Sequence, residues 1–429
     1  MISKDFITMI NHNKKSWFYT LLSLLLMIML SSTVNAELKL HISKTANDGI
    51  PILIAPIDGG VNSIIEADLK RSGRFTLIDA SKGSKLSGFG GTLPRADLQA
   101  TGAEYIVRGR VSKAGLDVEL VSTADGSRVA SYRIGVVSNP RRIAHKAADK
   151  IFERITRTKG AFDTRLAYVT STGQRPNKTY KLYIADSDGH NPHTILSSDQ
   201  PIMSPSWSPN GSQLAYVSFE RGTSAIYIQN IFTGKKRLVS GRKGINGAPV
   251  WSRDGSRLAL SLSVDGNSEI YVLSVSGGTL KRLTNDRAID TEPAWSGNGR
   301  SIIFTSNRGG TAQLYKIPAS GGQAKRMTFV GKYNSAADIV ANKIALVRRS
   351  GGHFRIAIMQ MDGAGADIIS SGKFDESPAL APNGTMIAYA TQVRGRGKLV
   401  VVSDNGKAKQ ELHSPDGDVR EPAWSPYIR

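Results

Sequence analysis

Three stretches decide the architecture: Trp207-Ser208-Pro209-Asn210-Gly211, Trp251-Ser252-Arg253-Asp254-Gly255 and Trp295-Ser296-Gly297-Asn298-Gly299. They recur at a spacing of 44 residues. Each runs on into an apolar segment, Leu214–Val217, Leu258–Leu260 and Ile302–Phe304, and then into a second one centred on Tyr227, Tyr271 and Tyr315. Asn-Gly and Asp-Gly accept the positive φ of tight hairpins. Short strands separated by such turns at a period near 40–45 residues are the mark of a propeller blade.

Working outward, Leu380-Ala381-Pro382-Asn383-Gly384 is a fourth copy, and Trp424-Ser425-Pro426 is a fifth that ends with the chain. A degenerate copy lies between the third and fourth, where Ile344–Val347 and Ala357 keep the register. Counting back from them predicts its anchor at Ala337, with Ala341-Asn342 in place of the Asn-Gly turn. At the front, Leu166–Val169 and Tyr183 form a copy with a longer loop around Gln174–Lys178. The apolar runs beginning at residues 166, 214, 258, 302, 344 and 387 make six repeats. The first lacks a Trp-type strand, and the last segment, Glu421–Ser425, has only that strand. The expectation is a six-bladed β-propeller over residues 161–429, closed by its C-terminal strand, which removes the open edge.

Composition agrees with a globular chain. Of 429 residues 40% are apolar, and Lys and Arg outnumber Asp and Glu by 56 to 35. No cysteine is present, which excludes disulfides, Cys-ligated zinc, thiol nucleophiles and a lipoprotein anchor. At the front, Lys14 and Lys15 precede an uncharged run from Trp17 to Leu30, followed by Val34 and Ala36 at signal-peptidase positions. Residues 1–36 are therefore expected to be a cleaved signal peptide. The competing reading is a membrane anchor, for which the run is short of the ~20 residues that span a bilayer. Lys4, Lys14 and Lys15 against Asp5 in this segment leave a formal +19 on the rest of the chain. The basic residues are dispersed, and an exported protein rarely meets DNA, so nucleic acid is not an expected partner.

Residues 37–160 lack the repeat and read as a small α/β domain. Pro51–Ile57 is an apolar strand, Asn62–Ser72 an amphipathic helix ended by Gly73, and Phe75–Ile78 a strand. Ser81–Thr92 is rich in Gly, Ser and Lys and reads as a mobile loop. Pro94–Ala100 reads as a second helix. A meander follows over Tyr105–Val111, Leu116–Ser122 and Arg128–Val136, turning at Asp125-Gly126. Pro140–Thr156 is a basic helix that begins after Asn139. Residues 37–42 alternate polar and apolar, which suits either an edge strand or a strand donated to a partner sheet.

A search for catalytic patterns finds no G-x-S-x-G, H-E-x-x-H or Walker-type loop. His190 and His193 form a weak metal signal in a turn. Gly88–Gly91 is too short for a nucleotide fingerprint, and Arg394–Lys398 reads as a basic hairpin tip. No cofactor, metal or catalytic residue is expected. Loops entering the innermost strands carry Asp290, Thr291, Glu292, Asp375, Glu376 and Glu421, with Pro205, Pro249, Pro293, Pro378 and Pro422 two residues before each anchor. These suggest a rigid, carboxylate-lined mouth for a basic or amide-rich protein surface.

From Glu37 to Arg429 the sequence resembles the TolB family, the periplasmic components of the Tol–Pal system of Gram-negative bacteria. The resemblance rests on Gly160-Ala161-Phe162 with Thr164-Arg165, Met203–Pro209, Asn246-Gly247-Ala248-Pro249, Thr291-Glu292-Pro293, Ser377–Met386 and the Pro422–Tyr427 ending. It implies a monomeric, non-enzymatic adaptor that binds the lipoprotein Pal at the propeller mouth and TolA through the mature N-terminus. It also implies roles in outer-membrane invagination at division, in envelope integrity and in protein and bacteriocin import. Carried over by position, Pal would contact Met203, Asn246, Ala248, Thr291, Glu292 and Glu376. TolA would contact Glu37, Leu38, Lys39, Leu40, His41, Ile42, Ser43, Lys44 and Thr45. The family often has His before Asn-Gly-Ala-Pro, where this chain has Ile245, so any polar contact of that His is missing here. With both sites on one chain, Pal occupancy is expected to draw residues 37–45 onto the protein and hide them from TolA. A propeller-bearing hydrolase or carbohydrate-binding protein is the alternative.

Overall fold

A computed structural model describes residues 49–135, 139–174, 176–363, 365–415 and 417–427. Residues 37–45, the expected TolA segment, lie outside the described residues, as does the expected signal peptide. The described chain from Gly49 onward forms one compact unit.

The first part is a five-stranded sheet in the order β2-β1-β3-β4-β5, with β1 Ile50–Ile54, β2 Phe75–Ile78, β3 Tyr105–Ser112, β4 Gly115–Ser122 and β5 Arg128–Gly135. β1 runs parallel to β2 and β3, and the meander β3-β4-β5 is antiparallel. Helix α1, Val61–Arg71, and helix α3, Pro140–Thr156, cover one face. Asn139 caps α3 by accepting from the Arg141 N–H at 3.0 Å, ahead of a proline at the first helical position. The short helix α2, Arg95–Ala100, packs on the other face with Leu86. Covering on both faces explains why the middle of the sheet is apolar throughout, as in Ile52, Leu53 and Ile54.

The segment Ser81–Thr92 differs from the expected mobile loop. Ala80–Leu86 is a 3₁₀ turn capped by Asp79, whose carboxylate accepts from the Ser81 N–H at 2.8 Å, and Leu86 is buried in the core. A Cβ at Gly83 would sit 2.4 Å from Leu53 Cδ2, so glycine is there for close packing rather than for mobility.

The second part holds six four-stranded antiparallel sheets. Their innermost strands, in blade order, are Asp418–Trp424, Ile202–Trp207, Asn246–Trp251, Asp290–Trp295, Asn334–Val340 and Asp375–Leu380. Blade one joins the last strand of the chain to Arg165–Thr172, Thr179–Asp186 and His193–Ser198, with Trp424 opposite Leu166 and Ala423 opposite Ala167. The ring is thus closed by the C-terminal strand, as expected. In the degenerate blade five the anchor is Ile339, not Ala337, because Ile339 pairs with Ile344 whereas Trp295 pairs with Ile302. The hairpin after this strand is two residues shorter than its counterparts, which shifted the backward count.

Strand direction alternates within each blade. The segments entering the innermost strands and the hairpins between second and third strands therefore share one end of the propeller, called here the mouth. The α/β layer packs on the opposite end, against blades one and six. One continuous core runs from Ile65, Leu69 and Phe152 through Ala161 and Phe162 to Trp424, Met386 and Leu399. Polar ties flank it: Arg74 pairs with Asp404 at 2.6 Å, Asn383 donates to the Lys159 carbonyl at 2.8 Å, and Trp424 donates to Thr164 Oγ1 at 2.8 Å.

Candidate functional site

The mouth is built from a motif that four of the six innermost strands repeat. Asn246, Asp290, Asn334 and Asp375 each stand five residues before their anchors Trp251, Trp295, Ile339 and Leu380, and all four are fully buried. Each organises the turn that enters its strand. Asn246 Oδ1 accepts from Ser240 at 2.6 Å and from the Arg242 N–H at 3.1 Å, while its amide donates to the carbonyls of Arg242 and Gly244. Asp290 pairs with Arg308 at 2.6 Å. Asn334 accepts from Arg348 and donates to Gln313 and Val330. Asp375 accepts from Ser370, the Gly372 N–H and Thr391.

Two residues further on, every innermost strand carries a bulge with a non-glycine residue at positive φ. These are Ser204 (50°), Ala248 (45°), Glu292 (51°), Ala336 (51°), Ser377 (52°) and Glu421 (52°). The strand register breaks at the same place in all six blades. In all but blade five the next residue is the repeated proline, which lies within the strand rather than in a loop. A left-handed L-residue costs about 1–2 kcal/mol. Hydrogen bonds between neighbouring blades offset part of that cost. Glu421 accepts from the Ser204 N–H, Glu292 accepts from the Ala336 N–H at 2.9 Å and, within its own blade, from Thr305 Oγ1 at 2.7 Å, and Asp338 accepts from the Leu380 N–H at 2.6 Å.

Several of the acids expected to line the mouth are therefore occupied within the protein. Asp290 and Asp375 are interior, and Glu292 and Glu421 tie one blade to the next. Burial raises the Glu421 carboxyl above its ordinary range despite the bond from Ser204. Glu376 pairs with Arg420 at 2.9 Å and remains half-exposed. What the mouth presents outward is apolar and basic. Ile245, Ile289 and Phe374 immediately precede the buried Asn246, Asp290 and Asp375, and all three are exposed. Phe329 and Val330, 73% and 70% exposed, extend the ring at the entry to blade five, and Met203 adds to it at blade two. Arg242, Lys243, Arg287, Lys332 and Lys373 are exposed in the same turns. An apolar group of this kind, rimmed by charge, marks an interaction surface.

Of the six residues carried over as Pal contacts, Met203 is exposed, and Ala248, Thr291, Glu292 and Glu376 are partly exposed on the inner strands. Asn246 alone is buried with its side chain engaged. Sequence reasoning missed Ile289, Phe329, Val330 and Phe374. The signal was available for two of them: an apolar residue just before the Asn or Asp that lies five positions ahead of the anchor. His190 and His193, the weak metal pair, sit at the far end in the turn and strand after Asp186. His190 Nδ1 is 3.3 Å from Asp188 Oδ1. Among the described residues, the acid and imidazole groups that converge closely enough for a metal are His145, Asp186 and Asp188. No described helix is long and apolar enough to cross a membrane.

Comparison with known proteins matches this architecture. Residues 152–428 match the TolB beta propeller domain, and residues 27–126 match the TolB amino-terminal domain. Over 377 residues the chain is 53% identical to the Tol-Pal system protein TolB of Xanthomonas oryzae pv. oryzae, covering 86% of each chain. The protein of the same name from Xanthomonas campestris pv. campestris is 52% identical over the same length. Among solved structures, TolB from Acinetobacter baumannii is similar at a TM-score of 0.81 and 38% identity, over 89% of this chain and 98% of that one.

Proposed function

The chain belongs to the TolB family, and from that membership we propose that it is a non-enzymatic periplasmic adaptor of the Tol-Pal system, binding Pal at the propeller mouth. The observation that carries this reading is the ring of exposed apolar residues, Met203, Ile245, Ile289, Phe329, Val330 and Phe374, held on turns that buried Asn and Asp side chains fix in place. A rigid apolar surface with basic neighbours loses little entropy on docking and favours a partner face that is apolar at its centre and acidic at its rim. Met203, Ala248, Thr291, Glu292 and Glu376 line the inner part of that site. Asn246 serves it from below by holding the turn that presents Ile245.

The second arm of the adaptor is TolA, bound by residues 37–45 through strand addition. The alternating Glu37-Leu38-Lys39-Leu40-His41-Ile42 pattern supports this reading, because backbone pairing supplies affinity and alternate side chains supply specificity. Such an adaptor serves outer-membrane invagination at division and envelope integrity, and bacteriocins can exploit it.

Calorimetric titration with the soluble domain of Pal tests the reading. Binding by the parent, and loss of it in a folded Ile289→Asp, Phe329→Asp double variant, supports docking at the mouth. A folded parent that does not bind Pal sinks it. Removal of residues 37–45 is expected to abolish TolA binding and leave Pal binding in place.

A further inference from the structure

We propose that the crevice between α3 and the first blade, at the end of the propeller away from the mouth, binds a first-row divalent transition-metal ion of the Zn²⁺ type through His145, Asp186 and Asp188. The site does not depend on the Pal reading.

His145 lies on α3 and is 2% exposed. Its Nδ1 is 2.6 Å from Asp68 Oδ2 on α1, which assigns the ring proton to Nδ1 as donor. A metal ion would take the place of any proton on Nε2, which has no hydrogen-bond partner among the described residues. Burying an imidazole nitrogen without a partner is costly. A histidine that donates through one nitrogen to a carboxylate and keeps the other free is the arrangement metal-ligating histidines adopt.

The facing groups are acids. Asp188 Oδ2 is 3.7 Å from His145 Nε2, and the ligand atoms of His145, Asp186 and Asp188 all lie within 4.8 Å of one another. Ligands at roughly 2.0–2.2 Å from a tetrahedral Zn²⁺ sit about 3.5 Å apart, so closure needs side-chain movements on the order of 1 Å. A cavity of about 220 Å³ opens beside them, lined by His145 and Asp186 together with Asn139, Arg142, Asp163 and His193. It has room for the ion and a water in the remaining position.

Charge and ligand type narrow the ion. Two carboxylates neutralise a divalent cation, while the buried Arg71, paired with Asp68 at 2.7 Å, stays nearby as a fixed positive charge that the site must accommodate. In this structure Asp188 pairs with Arg141, whose side chain is 27% exposed and free to turn toward solvent when an ion takes over that oxygen. Asp186 Oδ2 accepts from Asn191 at 2.6 Å, a neutral partner that leaves its charge available. An imidazole nitrogen with two carboxylates suits Zn²⁺ and its first-row neighbours, whereas Mg²⁺ and Ca²⁺ take oxygen donors. The ion would bridge α3 to the first blade and so tie the α/β layer to the propeller.

The test is titration of the purified protein with ZnCl₂, by calorimetry and by competition with a chromophoric chelator. One ion per chain is expected, with the thermal midpoint rising as ion is added. Asp186→Asn, at a partly exposed position, should weaken binding at least ~10-fold, and Asp68→Asn, which frees the imidazole from its carboxylate, by about 10–100-fold. In parallel, the ¹⁵N resonance of His145 Nε2 should move on adding Zn²⁺ to the unmodified protein, which decides the matter if a variant does not fold. Absence of stoichiometric binding overturns the proposal. So does unchanged affinity in Asp186→Asn. Loss confined to His413→Gln also overturns it, because His190 and His413 stack at 5.4 Å on the surface and would then be the site.

Discussion

Trp207 and Ala423 are 216 residues apart in the chain, yet the indole N–H of Trp207 donates to the Ala423 carbonyl at 3.0 Å. The second blade is thereby fastened to the strand that completes the first. Glu421 makes a parallel tie to the Ser204 N–H, and Trp424 reaches Thr164 at the junction with the α/β layer. Three independent bonds thus radiate from one seven-residue strand, Asp418–Trp424.

Deleting Glu421–Arg429 removes those bonds and uncovers the edge of Arg165–Thr172 along with the core around Leu166 and Tyr168. The expected result is loss of the whole cooperative transition in calorimetry or circular dichroism, not a small downward displacement. A truncated chain that melts like its parent would show that closure contributes little.

At the mouth, presenting residues and supporting residues should separate in experiment. Phe329→Asp changes an exposed side chain, so stability should move by no more than about 0.5 kcal/mol. Its affinity for the Pal domain should fall at least ~10-fold if Phe329 is an anchor. Asn246→Ala removes both ends of a fully buried amide and leaves Ser240, Arg242 and Gly244 without their partners. It should cost about 1–3 kcal/mol in urea denaturation. Equal effects of the two substitutions on stability would refute the distinction.

The propeller was legible because its information is local and repeated: a turn dipeptide, an apolar run and an anchor return every 44 residues. Where one hairpin is two residues shorter, the same arithmetic misplaced the anchor at Ala337 instead of Ile339. The helix α3 and strand β2 could be read to the residue from Asn139-Pro140 and from Phe75–Ile78. The acids of the inner strands could not be read, because a carboxylate facing a partner and one accepting a backbone N–H of the next blade look identical in sequence. The same limit hid the crevice at the other end. Asp68, His145 and Asp188 come from α1, α3 and the first blade, and no spacing rule connects residues brought together only by packing one layer on another.

The six positive-φ bulges give a test of stored strain. Ala248, at φ 45° before Pro249, has a Cβ in a region that L-residues avoid. Ala248→Gly relieves that contact but adds freedom to the unfolded chain, so it should leave stability within about 1 kcal/mol of the parent. Ala248→Val places a branched side chain in the same backbone state and should cost about 1–3 kcal/mol. Chemical denaturation of both variants measures the difference. A glycine variant as unstable as the valine one would mean that the bulge is unstrained.

Asp149 makes stability depend on pH. It sits on α3 beneath Gly160, where a Cβ would come within 2.4 Å of the Asp149 backbone. Its two oxygens accept from the Phe162 N–H at 2.7 Å and the Asp163 N–H at 3.1 Å, pinning the segment that enters the propeller. Burial, assisted by repulsion from Asp68 and Asp163, outweighs those bonds and pushes the carboxyl up to about 7 from its ordinary 3.8. Between these two values the folded chain keeps a proton that the unfolded chain releases. This group's contribution is therefore fully present below pH 3.8, declines as pH rises, and levels off above about 7. Asp149→Asn carries no titrating proton and keeps one acceptor, so it should lose stability at pH 5 relative to its parent and recover much of that difference by pH 8. The change should reach a few kcal/mol, accumulating at roughly 1.4 kcal/mol for each pH step of one across that window. Urea midpoints of the two proteins across this range provide the measurement, and parallel curves would show that Asp149 is already ionised in the folded state at pH 5.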